Sequence, residues 1–273
     1  MTRTLWRAVF VGFVACVLAI AATAREPLAV APAPRGLTPT VTEVPQALRD
    51  RVKLDPFYTK HIDLDGLPVL SSAKVSDEGL QEAAYLIRKM LAKRPDVLKE
   101  MARRGVRFVV MAPSEMTTDV PEQRHLKNDP KTDWDRRARG LGGKITSCGE
   151  ENLLNLKGDR YRNENILIHE FSHAIHRYGI GSLDRKFDSR LQETYKAATA
   201  TGLWKDTYAG SNHSEYWAEG VQSYFDCNNP PARGVHNDIN TREKLAKYDP
   251  VLHELIDEVF RQNEWRYVRY DRR

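Results

Sequence analysis

The stretch HEFSHAIH at residues 169–176 decides most of what this chain can fold into and bind. On a helix, His169 and His173 lie on the same face, about 40° apart around the axis. Both imidazoles can then reach one zinc ion, and Glu170 between them can act on a water molecule that the zinc activates. The apolar residues just before the stretch place this helix in a core, and Gly179 is expected to stop it. The structural alternative is a core helix whose histidines are satisfied by hydrogen bonds.

A catalytic zinc ion usually has three protein ligands and one open position. The stretch EYWAE, residues 215–219, offers Glu215 and Glu219 on one helix face. We predict that Glu215 binds the zinc and that Glu219 accepts the second N–H of a ligand histidine. In the alternative, Asn212 and Glu215 form a capping box, and Glu219 is a surface carboxylate. His176, on the same helix face as the first histidine, is predicted to hydrogen bond behind the site, to line it, or to be structural.

The rest of the pattern predicts an α+β fold, with helices packed on a small mixed sheet. Residues 106–111 form a β-rich run, residues 113–143 look like a long loop, and one or two strands follow in residues 144–156. Residues 147–154 are predicted to be an edge strand that binds an extended peptide, or else an ordinary core strand. Helices are expected from Ser76, Pro95, Asn163 or Asn165, Leu183, Asn212 and Pro250.

The N-terminus predicts export. Residues 1–24 combine two early arginines, an apolar run and the small-residue pattern Ala-Thr-Ala, which is typical of a cleaved signal peptide. The apolar run is shorter than the roughly 20 residues that span a bilayer, although an uncleaved membrane anchor is the alternative. We therefore expect a secreted or periplasmic protein with no stable membrane insertion after cleavage.

Composition suggests one folded domain after a spacer. Residues 25–55 are rich in proline and predict a linker, and residues 56–273 are long enough for one zincin-like catalytic domain with its own core. The net charge is +5 with 29% charged residues, and basic clusters are balanced by nearby acids. This distribution argues against a nucleic-acid partner and leaves the oligomeric state undetermined.

Two cysteines, Cys148 and Cys227, remain once the signal peptide is removed. In an exported protein, two lone cysteines are expected to form a disulfide bond.

The two motifs together resemble those of the catalytic domain of anthrax lethal factor and its relatives. The matching residues are HEFSHA followed by Tyr178-Gly179, and then Tyr208, Asn212 and EYWAE at the family's spacing. The resemblance covers residues 160–225, and it departs from the family at Trp217, where relatives tend to have Phe.

The resemblance implies a role for each matched residue. It implies that His169, His173 and Glu215 bind one zinc ion per chain. It further implies that Glu170 is the catalytic base and that Tyr208 donates a hydrogen bond to the oxyanion. The alternative for Tyr208 is a tyrosine that merely packs in a loop.

These observations predict a secreted zinc-dependent metalloendopeptidase that hydrolyses peptide bonds through a zinc-activated water, with a peptide or protein as its substrate. One alternative is a zinc amidohydrolase that acts on a non-protein amide. Another is a non-catalytic secreted zinc-binding module. Glu170 argues against the second alternative, because metal binding alone does not need a base at that position.

Overall fold

A six-stranded mixed sheet lies at the centre of the computed structural model, which describes residues 39–231 and 235–273. The strand order is β1-β2-β3-β4-β6-β5. The first three strands and the pair β5–β6 are antiparallel, whereas β4 runs parallel to both β3 and β6. The strands are β1 (Thr42–Glu43), β2 (Lys60–Leu64), β3 (Leu67–Ser71), β4 (Arg107–Met111), β5 (Gly140–Leu141) and β6 (Ile145–Gly149).

A tight turn at Asp65 and Gly66 joins β2 to β3. Both residues have positive φ angles, 51° and 93°, as the type I′ turn of a two-residue hairpin requires. Glycine is the residue that adopts such a φ without a steric penalty.

Helices cover both faces of the sheet. In chain order they are α1 (Gln46–Val52), α2 (Asp77–Met90), α3 (Pro95–Arg103), α4 (Trp134–Arg137), α5 (Glu150–Leu153), α6 (Ile166–Ala174), α7 (Gly181–Leu183), α8 (Phe187–Ala200), α9 (His213–Tyr224), α10 (Arg242–Tyr248) and α11 (Pro250–Phe260). Short 3-10 segments lie at Thr117–Asp119, Pro121–Asn128 and Tyr270–Arg272. No described helix is both long enough and apolar enough to cross a bilayer.

The larger core lies on the side of the sheet where α2, α3 and α6 pack. Strand β4 shows why both faces are covered: Phe108 and Val110 belong to this core, whereas Val109 and Met111 belong to a smaller one on the opposite face. Successive side chains of a strand point to opposite faces, so a strand with apolar residues at every position must be buried on both. The predicted α+β class is confirmed.

Several predicted helix starts are also confirmed. Ser76 Oγ accepts a hydrogen bond from Gly79 N (3.1 Å) at the start of α2, and Asn165 Oδ1 accepts one from Ile168 N (3.0 Å) at the start of α6. Pro95 opens α3.

The predicted end of the His-bearing helix is wrong. The chain continues from α6 through one wide π-helical segment, Ile175–Ile180, into α7. Gly179 serves packing instead, because a Cβ atom there would lie 2.7 Å from Val97 Cγ1. The absence of a side chain at Gly179 lets the π-helical segment approach α3 closely.

The predicted edge strand is also wrong. Residues 147–154 contain the end of β6 and helix α5, and β6 is an internal strand between β4 and β5. The edge strands are β1 and β5, and β5 lies inside the stretch predicted to be a long loop.

The spacer predicted at residues 25–55 is folded at its C-terminal end. Strand β1 pairs with β2, and Leu48 of α1 packs in the smaller core together with Val44 and Leu54. The signal peptide and the first part of the spacer lie outside the described residues, so they remain predictions.

The predicted disulfide bond is absent. Cys148 and Cys227, both described, are free and buried. Cys148 lies on β6, opposite Val110 and Gly140, whereas Cys227 lies just after α9. Helix α6 packs against both β6, which carries Cys148, and α9, which ends just before Cys227.

Candidate metal centre

Helices α6 and α9 pack against each other and carry the side chains of the candidate site. Phe171 anchors α6 on the sheet through an edge-to-face contact with Phe108, at a ring distance of 6.0 Å. Trp217 fixes α9 to α6, because its Nε1–H donates to the carbonyl of Ser172 (2.9 Å). His169 and His173 are each two residues from Phe171, so they lie on the other side of α6, where Glu215 of α9 meets them.

The start of α9 is set by Asn212, whose Oδ1 accepts hydrogen bonds from the backbone N–H groups of Ser214 (2.9 Å) and Glu215 (3.0 Å). Asn212 therefore caps the helix, as the sequence suggests. The side chain of Glu215 does not close a capping box. Its carboxylate faces the histidines of α6 instead.

Three donor atoms converge between the two helices. Glu215 Oε2 lies 3.1 Å from His169 Nε2 and 3.5 Å from His173 Nε2. Ligands at the vertices of a tetrahedron around zinc, with bonds of about 2.0–2.1 Å, are separated by about 3.3 Å. Two imidazole nitrogens and one carboxylate oxygen at these separations fit a catalytic zinc site with one open position.

Each histidine is held through its other ring nitrogen. His169 Nδ1 lies 2.8 Å from Gln222 Oε1, and His173 Nδ1 lies 2.9 Å from Ser214 Oγ. The amide of Gln222 is oriented in turn, because its Nε2 donates to Asn165 O (3.2 Å). An Nδ1–H that donates to these oxygens leaves the Nε2 lone pair free for a metal, so both rings are oriented for ligation.

The charges of the site favour a cation between the helices. Burial lowers the pKa of His169, but its hydrogen bond to Glu215 and the charges of Glu170, Glu219 and Glu215 outweigh burial and raise this pKa to about 10. Burial would raise the pKa of Glu215, but the hydrogen bonds from His169 and His173 hold it well below its ordinary value. Positive charge at the nitrogens is therefore stabilised by the carboxylates around them.

Glu170 lies beside the histidines. One of its carboxylate oxygens and one nitrogen of each of His169 and His173 lie within 4.8 Å of one another. Glu170 lines a cleft of about 470 Å³ together with both histidines and Glu215. Among the described residues, no hydrogen bond or ion pair engages its carboxylate. The group is thus available to exchange a proton with a molecule in the cleft.

Strand β5 and the following Gly142 form one wall of the cleft and lie close to α6. A Cβ atom on Gly140 would lie 2.5 Å from Ile166 Cγ2 and 3.2 Å from Glu170 Cγ. A Cβ atom on Gly142 would lie 2.8 Å from His173 Cβ. The two glycines therefore allow the edge strand to run directly alongside the metal-binding face of the helix.

Tyr208 also lines the cleft. Its ring stacks on that of His169 at 6.1 Å with an interplanar angle of 23°, and its backbone N–H donates to Val235 O (2.8 Å). Burial raises the pKa of its phenol above the usual value, and the charges of Glu215 and Glu170 raise it further. A phenol that keeps its proton beside these groups can serve as a hydrogen-bond donor.

Glu219 lies near a candidate ligand histidine, and His176 pairs with a carboxylate of α8. Glu219 Oε1 lies 3.5 Å from His169 Nδ1, farther than Gln222 Oε1 does, and its Oε2 lies 3.2 Å from His236 Nδ1. His176 is buried, and its Nε2 lies 2.9 Å from Asp188 Oδ1. Burial lowers the pKa of His176 to about 4 despite the charge of Asp188.

Gln222, Ser214 and His236 are site residues that the sequence analysis missed. For Gln222 a signal was present, because residues 215, 219 and 222 are spaced i, i+4 and i+7 and share one face of α9. Ser214 and His236 carry no such pattern, and their positions depend on how the helix start and the segment after α9 fold.

Comparison with known proteins adds one structural similarity. No protein-family model and no curated protein matches the chain. Among solved structures, it is similar to the Pro-Pro endopeptidase PPEP-2 from Paenibacillus alvei, with a TM-score of 0.49 and 16% sequence identity over 70% of this chain and 96% of that chain. What the site can do is therefore inferred from its own side chains.

Proposed function

We propose that the protein is a zinc-dependent metalloendopeptidase, exported to the periplasm or the medium. The observation that carries this proposal is the position of Glu215 Oε2, which lies at tetrahedral ligand distances from both histidine Nε2 atoms. His169, His173 and Glu215 would hold the metal. The likeness of the two motifs to those of lethal factor supports the same ligand set, and the signal-peptide pattern supports export.

When bound, zinc supplies a Lewis acid that lowers the pKa of water to about 7 and polarises a carbonyl oxygen. Glu170 accepts the proton of the attacking water and later delivers it to the leaving amine. Tyr208 donates a hydrogen bond to the oxygen that gains negative charge as the carbonyl is attacked. Gln222 and Ser214 keep the two imidazoles in the tautomer and orientation that ligation needs.

The edge strand β5 supports a peptide as the substrate. Within residues 39–231 and 235–273, β5 pairs along one edge only, with β6. The other edge offers backbone donors and acceptors beside the cleft, and an extended peptide can add to it as a further strand. A main-chain contact of this kind holds the substrate without fixing its side chains.

The function is tested on the purified protein with a diverse library of peptides blocked at both ends. We expect internal cleavage, its loss on treatment with a chelator, and its recovery when about one zinc per chain is restored. Zinc-loaded protein that cleaves no library peptide would refute the peptidase proposal. Cleavage that persists after complete metal removal would refute the zinc dependence.

Tyr208→Phe should lower kcat by about 10²-fold or more, as expected for the loss of one donor to a developing oxyanion. Zinc content and thermal stability should barely change, because only one oxygen atom is removed. Tyr270→Phe, which alters an exposed tyrosine near the C-terminus, is the matched control. Unchanged activity in Tyr208→Phe would assign the oxyanion to another donor, and unfolding with loss of zinc would make Tyr208 a packing residue.

A further inference from the structure

Two arginines line the cleft without a carboxylate partner. Arg137 and Arg177 are both exposed and both belong to the cleft wall. No Asp or Glu in the described part of the chain lies within ion-pair distance of either guanidinium. Arg139 lines the same cleft but is buried and pairs with Glu151 at 2.6 Å. The two exposed arginines therefore differ from Arg139, whose ion pair is buried and structural.

The course of the chain indicates that the two arginines lie towards opposite ends of the cleft. Strand β5 runs alongside α6 in the same direction, with Gly140 next to Ile166 and Gly142 next to His173. Arg137 comes three residues before Gly140, and Arg177 comes one helical turn after His173. A helix rises about 1.5 Å per residue and an extended peptide about 3.3 Å, so each arginine lies about two to four substrate residues from the metal site.

Local contacts position Arg137. Its guanidinium lies 5.6 Å from the centre of the Trp134 ring, at the end of α4. Its backbone carbonyl accepts a hydrogen bond from the hydroxyl of Tyr161 (3.2 Å).

Three of the four carboxylates that line the cleft are engaged elsewhere, and the fourth, Glu170, forms no ion pair with a described arginine. Glu215 bonds to the histidines, Glu219 accepts a hydrogen bond from Asn228 Nδ2 (3.0 Å), and Glu164 accepts one from Gln222 Nε2 (3.2 Å). These carboxylates have partners of their own, so they do not neutralise the two arginines. Unpaired guanidinium groups select anions, and their planar pair of donors matches a carboxylate in particular.

We propose that Arg137 and Arg177 each bind a carboxylate of the substrate, so that the enzyme prefers peptides with acidic residues on both sides of the scissile bond. This proposal rests on the proposed function and adds a substrate class to it. A substrate carboxylate can come from an Asp or Glu side chain or from a free C-terminus, and the experiment separates these two sources.

In the kinetic experiment, one peptide that the protein cleaves is resynthesised with Asp, Asn or Lys at the second to fourth positions on each side of the scissile bond. We expect Asp to exceed Asn in kcat/KM by roughly five-fold at each end, the effect of one exposed ion pair. Raising the salt from about 50 mM to about 500 mM should reduce this preference, because salt screens exposed charges. Peptides with a free or an amidated C-terminus identify the source of the carboxylate.

Charge reversal assigns the two ends. Arg137→Glu should change the preference from Asp to Lys on one side of the scissile bond only, and Arg177→Glu on the other side only. Arg88→Glu, which alters an exposed arginine on α2 away from the cleft, should leave the preference of the wild type intact. A preference for Asp that is unchanged in both cleft variants, or a wild type that favours Asn or Lys, would overturn the proposal.

A binding arm separates this proposal from the peptidase proposal. Fluorescently labelled Asp, Asn and Lys peptides are titrated into zinc-loaded Glu170→Gln protein, in which no turnover is needed. Tighter binding of the Asp peptide that is lost in the Arg137→Glu and Arg177→Glu backgrounds supports the carboxylate sites even if no peptide is cleaved. Equal binding of all three peptides contradicts them even if the wild type is an active peptidase.

Discussion

Glu170→Gln should abolish peptide hydrolysis while the fold and the zinc content stay almost unchanged. Glutamine has nearly the same shape as glutamate, and Glu170 is not one of the three residues whose donor atoms lie at tetrahedral distances. Its carboxylate makes no hydrogen bond to another described residue, so the substitution leaves no buried donor without a partner. What glutamine cannot do is accept a proton.

Positioned general acid–base groups contribute about 10²–10⁴-fold to rates, and we expect a loss of kcat near the upper end because Glu170 acts in both proton transfers. The measurement is kcat on a cleaved peptide, with metal analysis and thermal unfolding of the same preparation. Glu193→Gln, at an exposed carboxylate on α8, should match the wild type. Activity of Glu170→Gln within a few-fold of wild type would remove Glu170 from the role of base.

The central histidines could be predicted because helical periodicity is local. The i, i+4 spacing of His169 and His173 is sufficient to place both imidazoles on one face, whatever the rest of the fold does. The same reasoning gave Glu215 on α9, once a third ligand was required. The same spacing extended by one turn, from position 219 to position 222, would also have identified Gln222.

The wall of the cleft could not be predicted in this way. Strand β5 is two residues long, so it shows no hydrophobic alternation. It forms because Gly140 and the following Gly142 let the chain pass closely over α6. That closeness is a property of the packed structure and leaves no periodic signal in the sequence.

The disulfide prediction failed for a related reason. It was made from the number of cysteines and the predicted export, not from their positions in the fold. Both β6 and α9 contact helix α6, yet the cysteines on and after these elements form no bond with each other. Burial raises the pKa of both thiols well above the usual value, which suits unreactive core residues.

His173→Ala should remove zinc from the protein and, with it, all activity. Of the two helical histidines, His173 is the better one to replace, because its side chain is the more exposed and its Nδ1 contacts only the hydroxyl of Ser214. Loss of His169 would instead leave Gln222 Oε1 without its partner in a buried site, which destabilises the fold directly. Alanine at position 173 also keeps the helix, since it is the best helix former.

Two measurements distinguish loss of the metal from loss of the fold. Metal analysis should give about one zinc per chain for the wild type and almost none for His173→Ala. Zinc that binds only the folded state at about 100 times its Kd adds about 2.7 kcal/mol to the free energy of unfolding. A chelator should therefore lower the Tm of the wild type by several degrees, at about 2–4 °C per kcal/mol, and leave that of His173→Ala unchanged.

His125→Ala is the matched control, because His125 is exposed and lies in the 3-10 segment Pro121–Asn128, on a different part of the chain. It should keep both the zinc and the response of Tm to the chelator. If His173→Ala retained a full zinc ion, the metal would have to be held by another set of side chains, and Glu219 with His236 is a pair in the same cleft that offers a carboxylate and an imidazole. In that case the open coordination position would face a different part of the cleft, and Glu170 would no longer be the carboxylate beside it.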